Sequence, residues 1–300
     1  MRFHAGFLVA SFFVFVSSNV VAAVSPVCSS EMAANIPPRA ANAMTGSQFA
    51  RYVSSMPAQA REQAIRQQLL SGNIPAFMRQ LKPVTLKLHP SDGKAIVATV
   101  CVTPDYLAIG SNNDYLRIPA NLYTAHVVAD AFGFVLPTTR IVDAIYHQAA
   151  YHLQPRPLPA GPQMRSTEYY VTHNRLVQEE LPSSYAGGLV AGDKKDVVLT
   201  NRRIGKPNRI AIYGWHRLNG RPIQPLSTVH GVRYADYSHG IRLVSDTVWV
   251  NGDPRSIINV LENPKLATVL SSEGPIDADR ALKAAAPTLS ASTETSRTRF

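Results

Sequence analysis

Ile212-Tyr213-Gly214-Trp215-His216, Val229-His230-Gly231 and Tyr234-Ala235-Asp236-Tyr237-Ser238-His239-Gly240-Ile241-Arg242-Leu243 are the pieces on which the fold turns. They lie in a stretch where β-branched and aromatic residues are broken repeatedly by Gly, Pro and Asn. Residues 196–200, 209–213, 227–232 and 241–244 are therefore expected strands, with 249–252 a strand end or turn. Asp253-Pro254 then reads as the start of a helix to about residue 261, aspartate as N-cap and proline in the first helical position.

Upstream the pattern changes. Asn121 is placed to cap a helix through residue 132, Thr138 or Thr139 another through about residue 153, and residues 169–180 add a short third. His173 and Asn174 in that third helix either face a cleft or sit on the surface. Residues 57–70 carry Ala60, Ala64, Ile65 and Leu69 at helical spacing and end at Ser71-Gly72. Residues 81–88 and 95–102 flank Ser91-Asp92-Gly93, a hairpin signal, and 106–109 and 116–118 flank Ser111-Asn112-Asn113-Asp114 in the same way. The expected fold class is α+β, a helical middle segment with a mostly antiparallel, β-rich C-terminal half. No period suggests repeats, no Gly-rich loop resembles a phosphate cradle, and Gly-x-Ser-x-Gly is absent.

The first residues set a compartment. Arg2, an apolar run over residues 7–16 and small residues at Val21-Ala22-Ala23 fit a secretory signal peptide, residues 1–23. No stable membrane span is expected after its removal, and Ser25-Pro26-Val27 before Cys28 does not fit a lipoprotein processing site. Secretion, or residence in a periplasm, would put the only two cysteines, Cys28 and Cys101, in an oxidising space, where one disulfide is the economical expectation. Losing Arg2 takes the formal charge from +10 to +9, which favours polyanionic partners. Nothing resembles a nucleic-acid-binding module. The remaining expected parts are 24–154 (hairpins and helices), 155–168 (a proline-rich linker), 169–270 (the β-rich part with the chemistry) and 271–300 (a disordered tail rich in Ser, Thr and Ala).

Three of the nine histidines fall in the quoted pieces, beside a serine, an aspartate and an arginine. One chemistry makes Ser238 a nucleophile, with His230, His216 or His239 as base and Asp236 as orienter. A second gathers His216, His230, Asp236 and His239 around zinc, since a catalytic zinc takes three such ligands and a water; HExxH is absent. In a third the histidines satisfy buried backbone groups and bind nothing. Arg242, Lys194 and Lys195 are candidate holders of an anionic substrate group. Trp215 and Tyr213, with Tyr234 and Tyr237, are candidate stacking faces for a sugar.

The Ile210-Ala211-Ile212-Tyr213-Gly214 strand followed by Ser238-His239-Gly240-Ile241-Arg242-Leu243 resembles the catalytic core of the L,D-transpeptidases, with their Ser-His-Gly-Cys-x-Arg signature. The resemblance implies acyl transfer on peptidoglycan, with histidine as base and Arg242 as support for substrate or oxyanion. Two departures stand out: Tyr213 replaces the family's first histidine, and the nucleophilic cysteine is missing between Gly240 and Ile241. The chain also resembles a set of exported bacterial proteins sharing Lys194-Lys195-Asp196-Val197-Val198-Leu199-Thr200, Tyr213-Gly214-Trp215-His216 and the block from Asp236 to Leu243. That likeness implies no activity. The expectation is an exported hydrolase or acyl transferase acting on cell-wall peptide or another extracellular polymer. The alternative is a non-catalytic protein that binds cell wall or polysaccharide.

Overall fold

The computed structural model describes residues 27–91 and 93–283. Helix α1 (Gly46–Val53) begins at a capping box, in which Thr45 Oγ1 accepts from Gln48 N and the Gln48 side chain accepts from Thr45 N. Two donors that a helix start leaves free are thereby satisfied. Helix α2 (Ala58–Leu70) follows, burying Ile65 and Leu69. Strands β1 (Lys82–Leu88) and β2 (Ile96–Val102) form the first expected hairpin, in register from Lys82↔Val102 to Leu88↔Ile96; Asp92 of its turn lies outside the described residues. Strands β3 (Ala108–Gly110) and β4 (Tyr115–Arg117) form the second.

Helix α3 (Leu122–Phe132) is capped by Asn121, which accepts from Thr124 N, and stops at Gly133 with φ 74°. After β5 (Phe134–Val135), Thr138 caps α4 (Thr139–Gln148) by accepting from Ile141 N. Helix α4 ends short of residue 153 because β6 (Tyr151–His152) leaves it to pair in parallel with β7 (Val190–Ala191). Helix α5 (Thr167–Gln178) lies between them in the chain. Strands β8 (Lys195–Val197), β9 (Ile212–His216), β10 (Pro222–Ser227) and β11 (His239–Gly240) form a sheet ordered β10-β9-β8-β11, antiparallel except for the β8–β11 pair. Strands β12 (Val244–Val250) and β13 (Asp253–Ser256) extend the first hairpin to β1-β2-β12-β13, with β5 also on β12. Helices α6 (Ile257–Glu262), α7 (Ala267–Leu270) and α8 (Ala278–Lys283) close the described chain.

The fold is thus α+β with a strand-rich C-terminal half. Several expectations need correction. Of the strand expected at 241–244 only Val244 lies in a strand, as the first residue of β12. The strand expected at 227–232 lies earlier, as β10, and residues 228–238 form a loop tied by the single bridge Arg209↔Gly231. Asp253 and Pro254 do not start a helix: they pair with Val250 and Trp249 in β13, an edge position where the missing proline N–H costs no ladder bond. The helix begins at Ile257 instead. The proline-rich residues 155–168 connect parts of one body, since β2 and β12 share a sheet and one core joins Phe49, Ile65 and Leu107 to Trp215, Tyr237 and Leu243. No loose tail starts at 271: Ile276, Ala278 and Ala281 are buried, and Arg203 donates to Ala281 O. Residues 1–26 and 284–300, where the signal peptide and the rest of the tail were expected, lie outside the described residues.

Cys28 and Cys101 are bonded, as expected. Among the described residues, no helix is long and apolar enough to cross a membrane.

Candidate functional site

Strand β11 is two residues long, yet it fixes the centre of the site. His239 pairs with Lys195 and Gly240 with Asp196, and Lys195 N donates to Ser238 O at 2.7 Å. The strand lies so close to its neighbours that a Cβ on Gly240 would sit 2.4 Å from the Tyr106 ring and 2.8 Å from Lys194 Cβ. On β9, Gly214 and Trp215 have φ of 108° and 58°, which interrupts the alternation of side chains. Tyr213 and His216 consequently turn to the same partner, Asp143, while Trp215 packs on Lys195, whose Nζ is 4.9 Å from the indole centroid. The expected residues are sorted into two clusters.

The first cluster contains His239, His230, Tyr234, Asp236, Lys195 and Trp215. His230 stacks on Tyr234 with centroids 4.1 Å apart, and both rings lie against His239, at 6.2 and 5.6 Å. Asp236 accepts from Ser238 N at 2.8 Å, Ser238 Oγ at 2.5 Å and the Tyr234 hydroxyl at 2.9 Å. Burial alone would raise its carboxyl, but His239, the Ser238 hydrogen bonds and Lys195 outweigh that and hold it below the usual carboxylate range. His239 has 0% of its surface exposed, and neither ring nitrogen has a hydrogen-bond partner. Burial pulls its imidazole down to about 4, with Lys195, His230 and Lys194 pulling the same way against Asp236. Burial likewise lowers His230 and Lys195. Trp215 Nε1 is a third buried polar atom of this cluster without a partner. Unpaired polar atoms are costly inside a fold, and three of them in one cluster mark a place for a ligand or water.

The second cluster lies around Asp143 of α4. It accepts from the Tyr213 hydroxyl at 2.9 Å and is 3.0 Å from His216 Nε2, and His216 stacks on Tyr146 at 4.6 Å. Behind it, Asp196 accepts from Tyr106 at 2.9 Å, and burial pushes its carboxyl up to about 7 against the pull of Arg242. Arg242 is wholly buried, lies 4.2 Å over the Tyr106 ring and donates to Thr103 O and Val190 O. Lys194 is buried too, with Nζ 2.6 Å from Tyr237 O and 3.0 Å from His173 Nδ1, and burial lowers its ammonium to about 8. Deeper still, Arg117 forms a two-pronged pair with Asp105 and lies 3.9 Å from Asp193, neither of whose carboxylate oxygens has a hydrogen-bond partner.

His230, Asp236, His239 and Lys195 therefore come together, while His216 and Tyr213 stand apart at Asp143. Ser238 is near the cluster, but its hydroxyl donates to Asp236 and is buried, with no imidazole in hydrogen-bond reach. That geometry suits a turn-stabilising serine better than a nucleophile. Arg242 and Lys194 hold backbone and a histidine ring, whereas the Lys195 ammonium has no hydrogen bond or ion pair among the described residues. Of the expected stacking residues Trp215 and Tyr237 belong to the core, while Tyr213 and Tyr234 are half-exposed. Among the described residues, no group of three or more His, Cys, Asp or Glu side chains is arranged to hold a metal ion, and His216 is absent from the zinc set expected for it. Tyr234, Asp143, His173 and the Asp105–Arg117 pair belong to the two clusters or the charges behind them. Only His173 and Tyr234 carried a signal in the sequence, as a histidine on a helix and an aromatic beside Asp236.

The chain matches no protein-family model, no curated protein and no solved structure.

Proposed function

We propose that the protein is an exported hydrolase or acyl transferase that attacks amide bonds of a cell-wall peptide or another extracellular polymer, with His239 as general base. One observation carries this reading: a buried imidazole, held neutral and unpaired at both nitrogens, beside the Asp236 carboxylate and the Lys195 ammonium. A neutral imidazole can take a proton, and the neighbouring Asp236 carboxylate offsets part of the burial cost that opposes the resulting imidazolium. Half-exposed His230 and Tyr234 form the side from which substrate would approach.

In this mechanism water, or the amine of an acceptor strand, attacks the amide carbon and gives its proton to His239. The carbonyl oxygen becomes an oxyanion held by Lys195 Nζ and the free Trp215 Nε1–H. Collapse breaks the C–N bond, and the imidazolium returns the proton to the leaving amine. No thiol is needed, which accommodates the cysteine missing from the transpeptidase-like signature. Export is supported by residues 1–23 and is compatible with the Cys28–Cys101 bond.

The test is turnover of isolated cell-wall peptide, read as new amino and carboxyl termini. His239→Gln should lower the rate by about 10²–10⁴-fold while the circular dichroism stays that of the parent. Full turnover in both His239→Gln and His230→Gln would overturn the reading.

A further inference from the structure

A groove of about 400 Å³ runs beside the first cluster, between the outer face of α2, the start of α3 and the loops around Arg165 and Arg233. Its cations are arginines. Arg61 is occupied, donating to Thr167 Oγ1 and Arg165 O and lying 5.2 Å over the Tyr170 ring. Arg66, Arg165 and Arg233 enter no ion pair among the described residues. Arg165 lies 5.4 Å over Tyr234 and Arg233 5.7 Å over Tyr123, which holds both guanidinium groups in place without neutralising them. The only carboxylate in the lining, Glu62, is occupied as acceptor for Asn121 N at 3.0 Å.

The groove borders the histidine cluster through Ala235 and Arg165. Arg165 caps Tyr234, and Ala235, between Tyr234 and Asp236, lines the groove and accepts from the Tyr170 hydroxyl at 3.4 Å. We infer that this groove binds a carboxylate-bearing peptide, so that an acidic peptide strand is delivered to the histidine cluster. The planar fork of arginine matches a carboxylate with two parallel hydrogen bonds. Exposed Gln59 and Gln63 add amide groups of the kind that pair with peptide N–H and C=O. Arginines left unpaired beside a single occupied carboxylate, in a chain of formal charge +10, define a site short of negative charge. The substrate role rests on the hydrolase reading; the binding does not.

The experiment measures binding of a fluorescently labelled glutamate oligomer by anisotropy, with a glutamine oligomer and inorganic polyphosphate as comparison probes. The glutamate oligomer should bind, more weakly as salt is raised, and the glutamine oligomer should not. Arg66→Gln/Arg233→Gln should weaken it by about tenfold or more, the scale of one lost charged hydrogen bond. Should the double variant unfold, the two single variants, each at the surface, carry the same test. Binding of the glutamate oligomer by a parent protein that does not turn over cell-wall peptide would sink the hydrolase reading and leave the groove standing. No binding of the glutamate oligomer, binding unchanged by the arginine variants, or polyphosphate bound as tightly as glutamate would each overturn the acidic-peptide assignment.

Discussion

His239 and Asp196 occupy adjacent rows of one strand pair, and burial drives them in opposite directions, the imidazole down to about 4 and the carboxyl up to about 7. Each shift favours the neutral form, which is what removal from water demands. The consequences for stability have opposite signs. Unfolded, His239 takes up its proton around its ordinary 6.5, so its contribution is complete above that pH and is lost as pH falls toward about 4. Asp196 ionises at about 3.8 when unfolded, so its contribution is complete below that pH and is lost as pH rises through about 7. Urea unfolding at a series of pH values should show the stability gap between the parent and His239→Leu shrinking in acid, by something on the order of 3 kcal/mol. The gap between the parent and Asp196→Asn should widen over the same descent. Gaps that move together, or stay flat, would mean that these two groups are not neutral in the folded protein. The histidines themselves were legible in the sequence. So was Asp236 beside His239, but the partner of His216 was not, because Asp143 stands 73 positions from it and nothing along the chain announces that distance closing.

Elements with local causes are the ones the sequence declares. Asn121 and Thr138 start α3 and α4 because each offers a side-chain oxygen to a free backbone donor a turn later, and the β1–β2 hairpin follows from two β-rich runs around an Asp-Gly turn. Strand β11 has no such local cause. It exists because Gly240 lets the backbone slide between Tyr106 and Lys194, contacts contributed from far along the chain. The same dependence on distant partners hid the β2–β12 pairing, whereas β10 is set by a local hairpin with β9 that pairs Pro222 with His216. Gly240→Ala should therefore be costly, about 1–3 kcal/mol, since its methyl group would overlap the Tyr106 ring. Gly231→Ala is the control: the nearest atom to its added Cβ is Asn208 O at 4.0 Å, and its loss should be a small fraction of that. Equal urea midpoints for the two variants would show that the close approach at β11 does not constrain the strand.

At the scale of the whole molecule, the two ends of the described chain are both fastened to the body that carries the site. At one end the Cys28–Cys101 bond spans 73 residues and anchors the arm to buried Cys101 on β2. Closing a loop of that size restricts the unfolded chain, and replacing both cysteines with serine should cost about 2–5 kcal/mol. A loss well under that range in urea unfolding would mean that the arm holds by its packing alone. At the other end the fastening is apolar. Ile276 N donates to Leu261 O, and Ile276 is buried in the core that packs β1, β2 and β12 against α4 and α6. That core is separate from the one containing Trp215 and Tyr237, next to the histidine cluster. Ile276→Ala should then lower global stability by about 2–5 kcal/mol through the cavity it leaves, while glutamate-oligomer affinity, measured well below the unfolding transition, stays that of the parent. A variant that loses affinity in proportion to stability would show instead that the two cores act as one, and that the groove depends on how residues 271–283 are seated.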